Sequence, residues 1–320
     1  MLVLTNEEIA SLLSFDEIIS CTEAAMLSYE NKTSMAPQRM HIDYADNSML
    51  CMPAIGTAHI STKLVAVVPG NRQKQLPVIN AVLLLTDKHS GKPLSLMAAG
   101  KLTALRTGAL GAIGVKYMSP AAIDSIGLIG LGVQGFQQAV FACSVRPVKT
   151  IYALKRNEDV FRDFVQFVNG HFPDVKIISC KTADEILNKT NVIIASTTSV
   201  TPVLPDNEAL LNGKHFIGIG SYKPVMQEFP DTVYKLAACL AIDSDGARHE
   251  TGDIINPLKK GIIKTENVFT IGKLITGERE IDINKTTVYK SAGMALFDLF
   301  LAEALYKKAV KKNTGTEVDL

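Results

Sequence analysis

The chain has 320 residues, of which 47% are hydrophobic and 20% are charged, so it can bury a large core. This composition excludes a mainly disordered protein, and at roughly 100 to 200 residues per domain the length predicts two domains. The 33 basic and 32 acidic side chains leave a formal net charge of +1, which argues against nucleic acid or an anionic membrane as a partner.

The N-terminal segment and the cysteine pattern predict a cytoplasmic location. Residues 1–8 become acidic at once and lack the basic start and apolar stretch of a signal peptide. No run approaches the roughly 18 apolar residues that span a membrane. The five cysteines lie far apart, and neither they nor the six histidines have metal-ligand spacing, so we expect reduced thiols and no metal.

The first part of the chain predicts helices and an antiparallel sheet. Capping boxes at 5–8 and 14–17 indicate two helix starts, and the second helix should run over about 16–29. Between residues 39 and 97, short apolar or alternating runs are separated by Gly, Pro, Asn and Asp, which is typical of a mainly antiparallel sheet. Residues 102–118 are rich in Ala, Leu and Gly and predict a helix that leads out of this domain.

Beyond Pro120, apolar strands alternate with helical segments, which is the pattern of a doubly wound parallel sheet. The predicted strands are 125–129, 150–154, 175–178, 192–195, 216–219 and 240–243. Apolar residues at near-helical spacing predict a long terminal helix over 286–308, and the tail 307–320 is expected to be solvated.

We therefore predict an α/β protein with a Rossmann-type domain over residues 116–285. A smaller α+β domain would combine residues 1–115 with 286–320.

The sequence GLGVQG at residues 130–135 is a G-x-G-x-x-G motif between a predicted strand and a helical segment. Gly130 permits a tight turn, Gly132 lets the backbone approach a pyrophosphate, and Gly135 permits close packing of helix on strand. Val133 and Gln134 begin the helix, whose unpaired N–H groups attract phosphates. The motif predicts a dinucleotide site, and the alternative is a tight turn without a ligand.

The next predicted strand bears on the choice of dinucleotide. NAD sites usually place an acid about 20 residues beyond the glycines, where it holds the ribose 2′-hydroxyl. This chain has Lys155, Arg156 and Asn157 there, and two cations suit a 2′-phosphate. NADP(H) is therefore favoured. The alternative is a solvated basic loop that accepts NAD(H) as well.

Three cations of the first domain lie at positions where a charge that serves only solubility is not expected. Arg39 follows a Pro-Gln pair, Lys63 opens an apolar run, and Arg106 lies in an otherwise uncharged small-residue helix. A cation in such surroundings needs an anionic partner. These residues predict a site for an acidic substrate.

Several short motifs, in a fixed order, resemble those of the ornithine cyclodeaminase and mu-crystallin family. The resemblance extends from Leu4 to about Ala309 and is much more specific than the glycine motif alone. The motifs are PQRM at 37–40, KLVAVVPGN at 63–71, TALRTGA at 103–109, TTS at 197–199, GSYKP at 220–224 with Glu228, and YKSAGMA at 289–295.

The resemblance implies a homodimer formed by the first domain, a Rossmann domain, and an active site in the cleft between the domains. Residues matching Arg39, Lys63 and Arg106 hold the carboxylate of an amino or imino acid, and the matching Lys also lies beside the reacting nitrogen. The family exchanges hydride between nicotinamide and the carbon that bears nitrogen. Five further positions are expected near the cofactor: Thr197, Thr198, Ser221, Ser291 and Gly293. Asp298 matches a family acid and is expected to be structural.

Two departures from the family pattern favour one branch. Cyclodeaminases carry an Asp where this chain has Tyr222 and a Glu where it has Leu50, so ring closure lacks its usual general base and amine partner. The chain is better suited to reducing a ready-made imine. Δ1-Pyrroline-2-carboxylate or Δ1-piperideine-2-carboxylate would give L-proline or L-pipecolate.

Three alternatives to imine reduction stay open. Two of them are enzymes: an ornithine cyclodeaminase and an alanine dehydrogenase-like amino-acid dehydrogenase. The third is a non-catalytic protein that binds NADP and a small ligand, as mu-crystallin does.

Overall fold

The computed structural model describes residues 1–319, with Arg72 described by its backbone alone, and these residues divide into two compact units. The first unit consists of Met1–Arg106 and the segment from Met294 onward, and the second of Thr107–Gly293. Leu320, the last residue of the tail that was expected to be solvated, lies outside the described residues.

The described residues form fifteen strands and eleven helices. The strands are β1 (Leu2–Leu4), β2 (Met40–Tyr44), β3 (Asn47–Ile55), β4 (His59–Val67), β5 (Ile79–Asp87), β6 (Pro93–Ala98), β7 (Ser125–Ile129), β8 (Thr150–Leu154), β9 (Lys176–Cys180), β10 (Val192–Ala195), β11 (His215–Gly218), β12 (Cys239–Ile242), β13 (Val268–Thr270), β14 (Thr287–Lys290) and β15 (Thr316–Glu317). The helices are α1 (Asn6–Leu12), α2 (Phe15–Glu30), α3 (Ala99–Met118), α4 (Val133–Val145), α5 (Glu158–His171), α6 (Ala183–Leu187), α7 (Glu208–Leu211), α8 (Asp231–Leu236), α9 (Gly252–Lys259), α10 (Gly272–Ile275) and α11 (Ala295–Lys312).

The sheet of the first unit has the strand order β15-β1-β6-β5-β4-β3-β2. Neighbouring strands from β2 to β6 are antiparallel, as expected, whereas β1 runs parallel to β6. Helix α11 packs against β3, β4 and α2, so it covers one face of this sheet. That covered face, here called the inner face, carries the buried side chains of the alternating strands. Its buried members are Leu50, Met52, Lys63, Leu83, Leu85 and Met97.

The opposite face of this sheet, here called the outer face, exposes large apolar side chains. Cross-strand pairing places Ile42 opposite Met49, and it places Leu64 opposite both Cys51 and Val82. Met40, Ile42, Met49, Leu64 and Val82 are all exposed. An apolar surface of neighbouring side chains on a sheet is typical of an interaction surface.

The predicted capping boxes begin α1 and α2. The Thr5 hydroxyl accepts a hydrogen bond from the Glu8 backbone N–H, and the Glu8 carboxylate accepts one from the Thr5 N–H in return. Ser14 and Glu17 make the same pair of bonds at the start of α2. Both helix starts are confirmed, because each cap satisfies two N–H groups that the helix itself leaves unpaired.

The second unit contains a parallel sheet of eight strands in the order β13-β12-β14-β11-β10-β7-β8-β9. Every pair of neighbouring strands in it is parallel, which confirms the doubly wound pattern. Strands β10, β11, β12 and β14 are buried along their whole length. Burial on both faces explains why these strands appear in the sequence as short continuous apolar runs.

One prediction at the C-terminal end was wrong. The helix expected over 286–308 begins only at Ala295, because Thr287, Val288 and Tyr289 are β-branched or aromatic and form the central strand β14. Gly293, whose φ is +80°, separates that strand from α11. The described residues of the tail are mostly exposed, as expected, and they also have regular structure: they extend α11 to Lys312 and then form β15, which pairs antiparallel with β1.

The turn after β7 depends on two glycines. Gly130 has a φ of +99°, in the left-handed region that side chains disfavour. A Cβ on Gly135 would lie 2.0 Å from the Gly130 carbonyl oxygen, so only glycine lets α4 approach the turn this closely. Gly132, by contrast, would place a Cβ in open space.

We predict that Gly135→Ala destabilises the protein and that Gly132→Ala does not. Overpacking against a backbone atom should cost Gly135→Ala about 1–3 kcal/mol of unfolding free energy. The matched variant Gly132→Ala should change it by less than about 1 kcal/mol. Urea unfolding of the two variants measures the difference, and equal stabilities would contradict the packing role of Gly135.

Candidate active site

A buried ionic cluster lies in the first unit, on the inner face of its sheet. Lys63 of β4 is 1% exposed, and its Nζ lies 2.7 Å from Oδ2 of Asp298 in α11 and 3.5 Å from the Thr103 hydroxyl. The Arg106 Nε in α3 lies 3.3 Å from the other oxygen, Oδ1, of the same carboxylate. The Asp298 carboxylate, which is fully buried, therefore contacts two of the three cations that the sequence predicted for substrate binding.

Local structure explains why these side chains meet. Lys63 pairs across the sheet with Met52 and Leu83, and strand alternation places all three on the inner face. Thr103 and Arg106 lie three residues apart in α3, on one face of that helix. Asp298 lies in the first turn of α11, where the helix dipole favours a negative charge.

The electrostatics of this cluster leave an excess of positive charge. Burial is the main reason that the pKa of Lys63 is lowered to about 8; Asp298 opposes this shift, and the charges of Arg106 and Arg39 contribute to it. Arg39, which is partly exposed and directly precedes β2, is thus close enough to act on Lys63 electrostatically. Two cations, Lys63 and Arg106, contact one carboxylate, and such an arrangement suits an anionic ligand.

Sequence reasoning assigned Asp298 a structural role, and the structure shows that it contacts both Lys63 and Arg106. A signal for it is present in the sequence, because Asp298 lies among the buried apolar side chains of α11. A carboxylate in such surroundings requires a cationic partner.

In the second unit, the glycine turn leads directly into α4. Gly132 is the N-cap of α4 and provides no side-chain cap, so the first N–H groups of the helix stay available for an anion. Val133 is 73% exposed at the first helical position. Gln134 has a buried side-chain oxygen without a hydrogen-bond partner among residues 1–319. The uncapped helix start, with its free N–H donors, fits a dinucleotide pyrophosphate.

The three residues after β8 differ in what they contact. Lys155 donates to the Glu158 carboxylate at 2.7 Å, and Asn157 caps α5 by accepting from the Val160 N–H at 3.0 Å. Arg156 is exposed. The structure therefore places Arg156 as the available cation of this loop, while Asn157 has a local structural role.

Thr197 and Ser221 follow β10 and β11, and both are held by the buried Glu228. One Glu228 oxygen accepts from the Thr197 N–H at 2.7 Å and from its hydroxyl at 3.0 Å. The other oxygen accepts from the Gly220 and Ser221 N–H groups at 2.8 and 3.1 Å. Glu228 thus fixes two loops at the carboxyl ends of adjacent parallel strands, where ligands of such sheets bind.

Glu228 itself contacts two further buried charged residues, Lys290 and Asp253. The Lys290 Nζ lies 3.4 Å from the Glu228 carboxylate and 4.0 Å from that of Asp253. Asp253 accepts from the Glu228 N–H at 3.0 Å and from the Ser221 hydroxyl at 2.5 Å. All three charged side chains are fully buried, and sequence reasoning assigned no role to Lys290 or Asp253.

Two other expected cofactor residues, Ser291 and Gly293, hold the turn after β14. The Ser291 hydroxyl and the Gly293 N–H donate to one oxygen of Asp243 at 2.7 and 2.6 Å. Thr198 is exposed on the loop after β10. The expected cofactor residues of the second unit therefore all follow strands of one parallel sheet.

No helix within residues 1–319 is both long and apolar enough to cross a membrane. In the same part of the chain, no three His, Cys, Asp or Glu side chains are grouped so that they could hold a metal ion.

Comparison with known proteins identifies relatives along the whole chain. A Δ1-pyrroline-2-carboxylate reductase from Bacillus cereus is 31% identical over 330 residues, with 100% of both chains covered. The structure of the Thermococcus litoralis Δ1-pyrroline-2-carboxylate reductase in complex with NADH and L-proline matches with a TM-score of 0.92 at 29% identity, covering 99% of this chain and 100% of that one. An archaeal alanine dehydrogenase dimer with bound NAD matches with a TM-score of 0.92 at 29% identity, covering 100% and 99%.

A family model extends this likeness beyond individual relatives. It matches residues 1–313, nearly the whole chain, and it is described as the ornithine cyclodeaminase/mu-crystallin family. The chain therefore belongs to the ornithine cyclodeaminase/mu-crystallin family.

Proposed function

We propose that the protein is an NAD(P)H-dependent reductase of a small cyclic 2-imino acid, such as Δ1-pyrroline-2-carboxylate or Δ1-piperideine-2-carboxylate. The observation that carries the proposal is the buried cluster in which two cations, Lys63 and Arg106, contact the single carboxylate of Asp298. A substrate carboxylate supplies the missing negative charge. The reductases of Bacillus cereus and Thermococcus litoralis support this substrate class.

The residues of the cluster have distinct roles in this proposal. Arg39 and Arg106 hold the substrate carboxylate, since a guanidinium can bind a carboxylate through two parallel hydrogen bonds. Asp298 contacts Arg106 at Nε, which leaves the two Nη groups of its fork for the substrate. When bound, the reduced nicotinamide supplies a hydride to the imine carbon. The electron pair of the C=N bond moves to the nitrogen, and Lys63 gives that nitrogen a proton. Water then reprotonates Lys63.

We predict that the protein oxidises NADPH with Δ1-pyrroline-2-carboxylate and that Arg106→Met lowers kcat/KM for it about 10- to 150-fold. Loss of a charge-assisted contact of about 1.5–3 kcal/mol accounts for this range. Decrease in NADPH absorbance measures the rates. Lys101→Met in the same helix is the matched control.

A substrate without a carboxylate makes this test specific. Arg106→Met should not further lower the slow reduction of 1-pyrroline, because that imine has no carboxylate for Arg106 to bind. Equal losses with both imines would contradict the carboxylate role. Failure of the wild-type protein to reduce either cyclic 2-imino acid would refute the proposed function.

Alanine dehydrogenase activity is the second candidate function, because the archaeal alanine dehydrogenase structure matches as well as that of the reductase. Reduced nucleotide oxidation with pyruvate and ammonia tests it. Ornithine cyclodeamination is disfavoured because Leu50 is a buried apolar residue of the inner face and Tyr222 is a phenol whose pKa is raised by burial. Neither is a carboxylate that could act as the base at pH 7.

We propose further that NADP(H) is preferred over NAD(H). Arg156 at the end of β8 is exposed, and it lies in the loop that carries the ribose-binding acid in NAD sites. The neighbouring Lys155 adds a second positive charge, although the contact with Glu158 offsets part of it.

Arg156→Ala should raise the KM for NADPH about tenfold or more and leave the KM for NADH nearly unchanged. The reason is the loss of about 1.5–3 kcal/mol of charge-assisted bonding to the 2′-phosphate. Arg162→Ala removes an exposed arginine of α5, which pairs with Asp159, and is the control. Equal changes for the two nucleotides would contradict the assignment.

We also propose that the protein is a homodimer in which the outer face of the first unit contacts a second copy. The exposed apolar rows on β2 to β5 support this, as does the archaeal alanine dehydrogenase, which is described as a dimer. Burial of these side chains in a symmetric interface removes them from water.

Leu64→Glu should shift the protein from dimer to monomer, because a charge replaces an apolar side chain within the proposed interface. Light scattering coupled to size exclusion measures the mass. Ile178→Glu is a matched control, since Ile178 in β9 is 43% exposed and Leu64 is 39% exposed. A Leu64→Glu protein that keeps the mass of the wild-type dimer would exclude the outer face.

A further inference from the structure

Asp298 is the residue through which three separate segments of the first unit meet. It comes from the terminal helix α11, whereas Lys63 comes from β4 and Arg106 from α3. The carboxylate is fully buried, and each of its oxygens faces a different cation. No other acid of the described residues forms an ion pair with either Lys63 or Arg106.

The two contacts of Asp298 differ in kind. Lys63 donates a hydrogen bond to Oδ2 at 2.7 Å, so the direction of its ammonium group is defined. Arg106 lies 3.3 Å from Oδ1, yet neither Oδ1 nor Nε has an aligned hydrogen bond among residues 1–319. The carboxylate therefore orients Lys63 by a directional bond and holds Arg106 by charge through its Nε, so the two Nη groups are not engaged by Asp298.

We propose that Asp298 is a positioning residue that keeps Lys63 charged and aimed as the proton donor. This proposal rests on the reductase function proposed above. Lys63 gives one of its protons to the imine nitrogen as hydride reaches the neighbouring carbon, and its neutral amine is then reprotonated by water. Asp298 does not take part in the proton transfer, so the acid that is consumed and restored is Lys63 alone.

The charges around Lys63 decide the sign of the expected effect. Asp298 favours the protonated form of Lys63, whereas burial, Arg106 and Arg39 favour the neutral form. On the same helix, Glu303 contacts His59 at 2.9 Å, so its charge is engaged elsewhere. Without Asp298, Lys63 should lose its proton at a lower pH, by about one to two pH units.

The test compares Asp298→Asn with Glu303→Gln, a control that removes an acid from the same helix. In the wild type, kcat/KM for Δ1-pyrroline-2-carboxylate should fall as pH rises through about 8, where Lys63 loses its proton. In Asp298→Asn this fall should move to lower pH, with a loss of about tenfold or more at pH 8.5 and of less than about threefold at pH 6. The KM for the imino acid should not rise, because removal of a negative charge does not weaken an anion site. Glu303→Gln should keep the wild-type profile.

Two further measurements keep the proposal falsifiable. Asp298→Glu retains the charge and should retain the wild-type pH profile at a reduced rate, which also serves if Asp298→Asn does not fold. NMR titration of the Lys63 ammonium, with its signal assigned by comparison with Lys63→Arg, reports the protonation of Lys63 without turnover. It therefore tests the effect of Asp298 on Lys63 even if the protein does not act as a reductase. An equal loss for Asp298→Asn at every pH, or an unchanged Lys63 titration, would overturn the proposal.

Discussion

The buried carboxylate of Asp298 is the constraint on which the arrangement of the first unit depends. A charge removed from water must be compensated nearby, and here the compensation comes from Lys63 and Arg106 on two other segments. Helix α11 cannot shift relative to β4 or α3 without leaving one of these charges unpaired. The same requirement that defines the packing also brings the cations of the candidate site together.

The second unit applies the same physical principle with opposite charges. Glu228 and Asp253 are buried acids that share one buried cation, Lys290, and accept hydrogen bonds from the loops after β10 and β11. Buried ion pairs are weak contributors to stability because of desolvation, but they define geometry when every lone pair has a donor. Both units therefore use buried ionic groups to hold the loops and side chains of the candidate sites in place.

This arrangement fits a reaction in which the protein itself does little covalent chemistry. The nucleotide carries the hydride, so the side chains have to bind a carboxylate, orient an imine and supply one proton. The family members compared here act on substrates that share a carboxylate next to a carbon bearing nitrogen. We propose that the cluster of the first unit binds that shared element.

The sequence by itself determined the fold class, the cofactor motif and the three cations. Each has a local signal: strand and helix periodicity, glycines between a strand and a helix, and charges inside apolar segments such as the one around Arg106. Tertiary structure alone decided that 287–290 form a central strand, that the tail pairs with β1, and that Asp298 contacts Lys63. Lys63 and Asp298 pair across 235 positions, β15 pairs with β1 from the other end of the chain, and β14 pairs with β11 and β12. No local pattern encodes partners at such distances. The segment 286–308 begins with β-branched and aromatic residues and continues with helix formers. Its first part becomes a strand because neighbouring strands bury it.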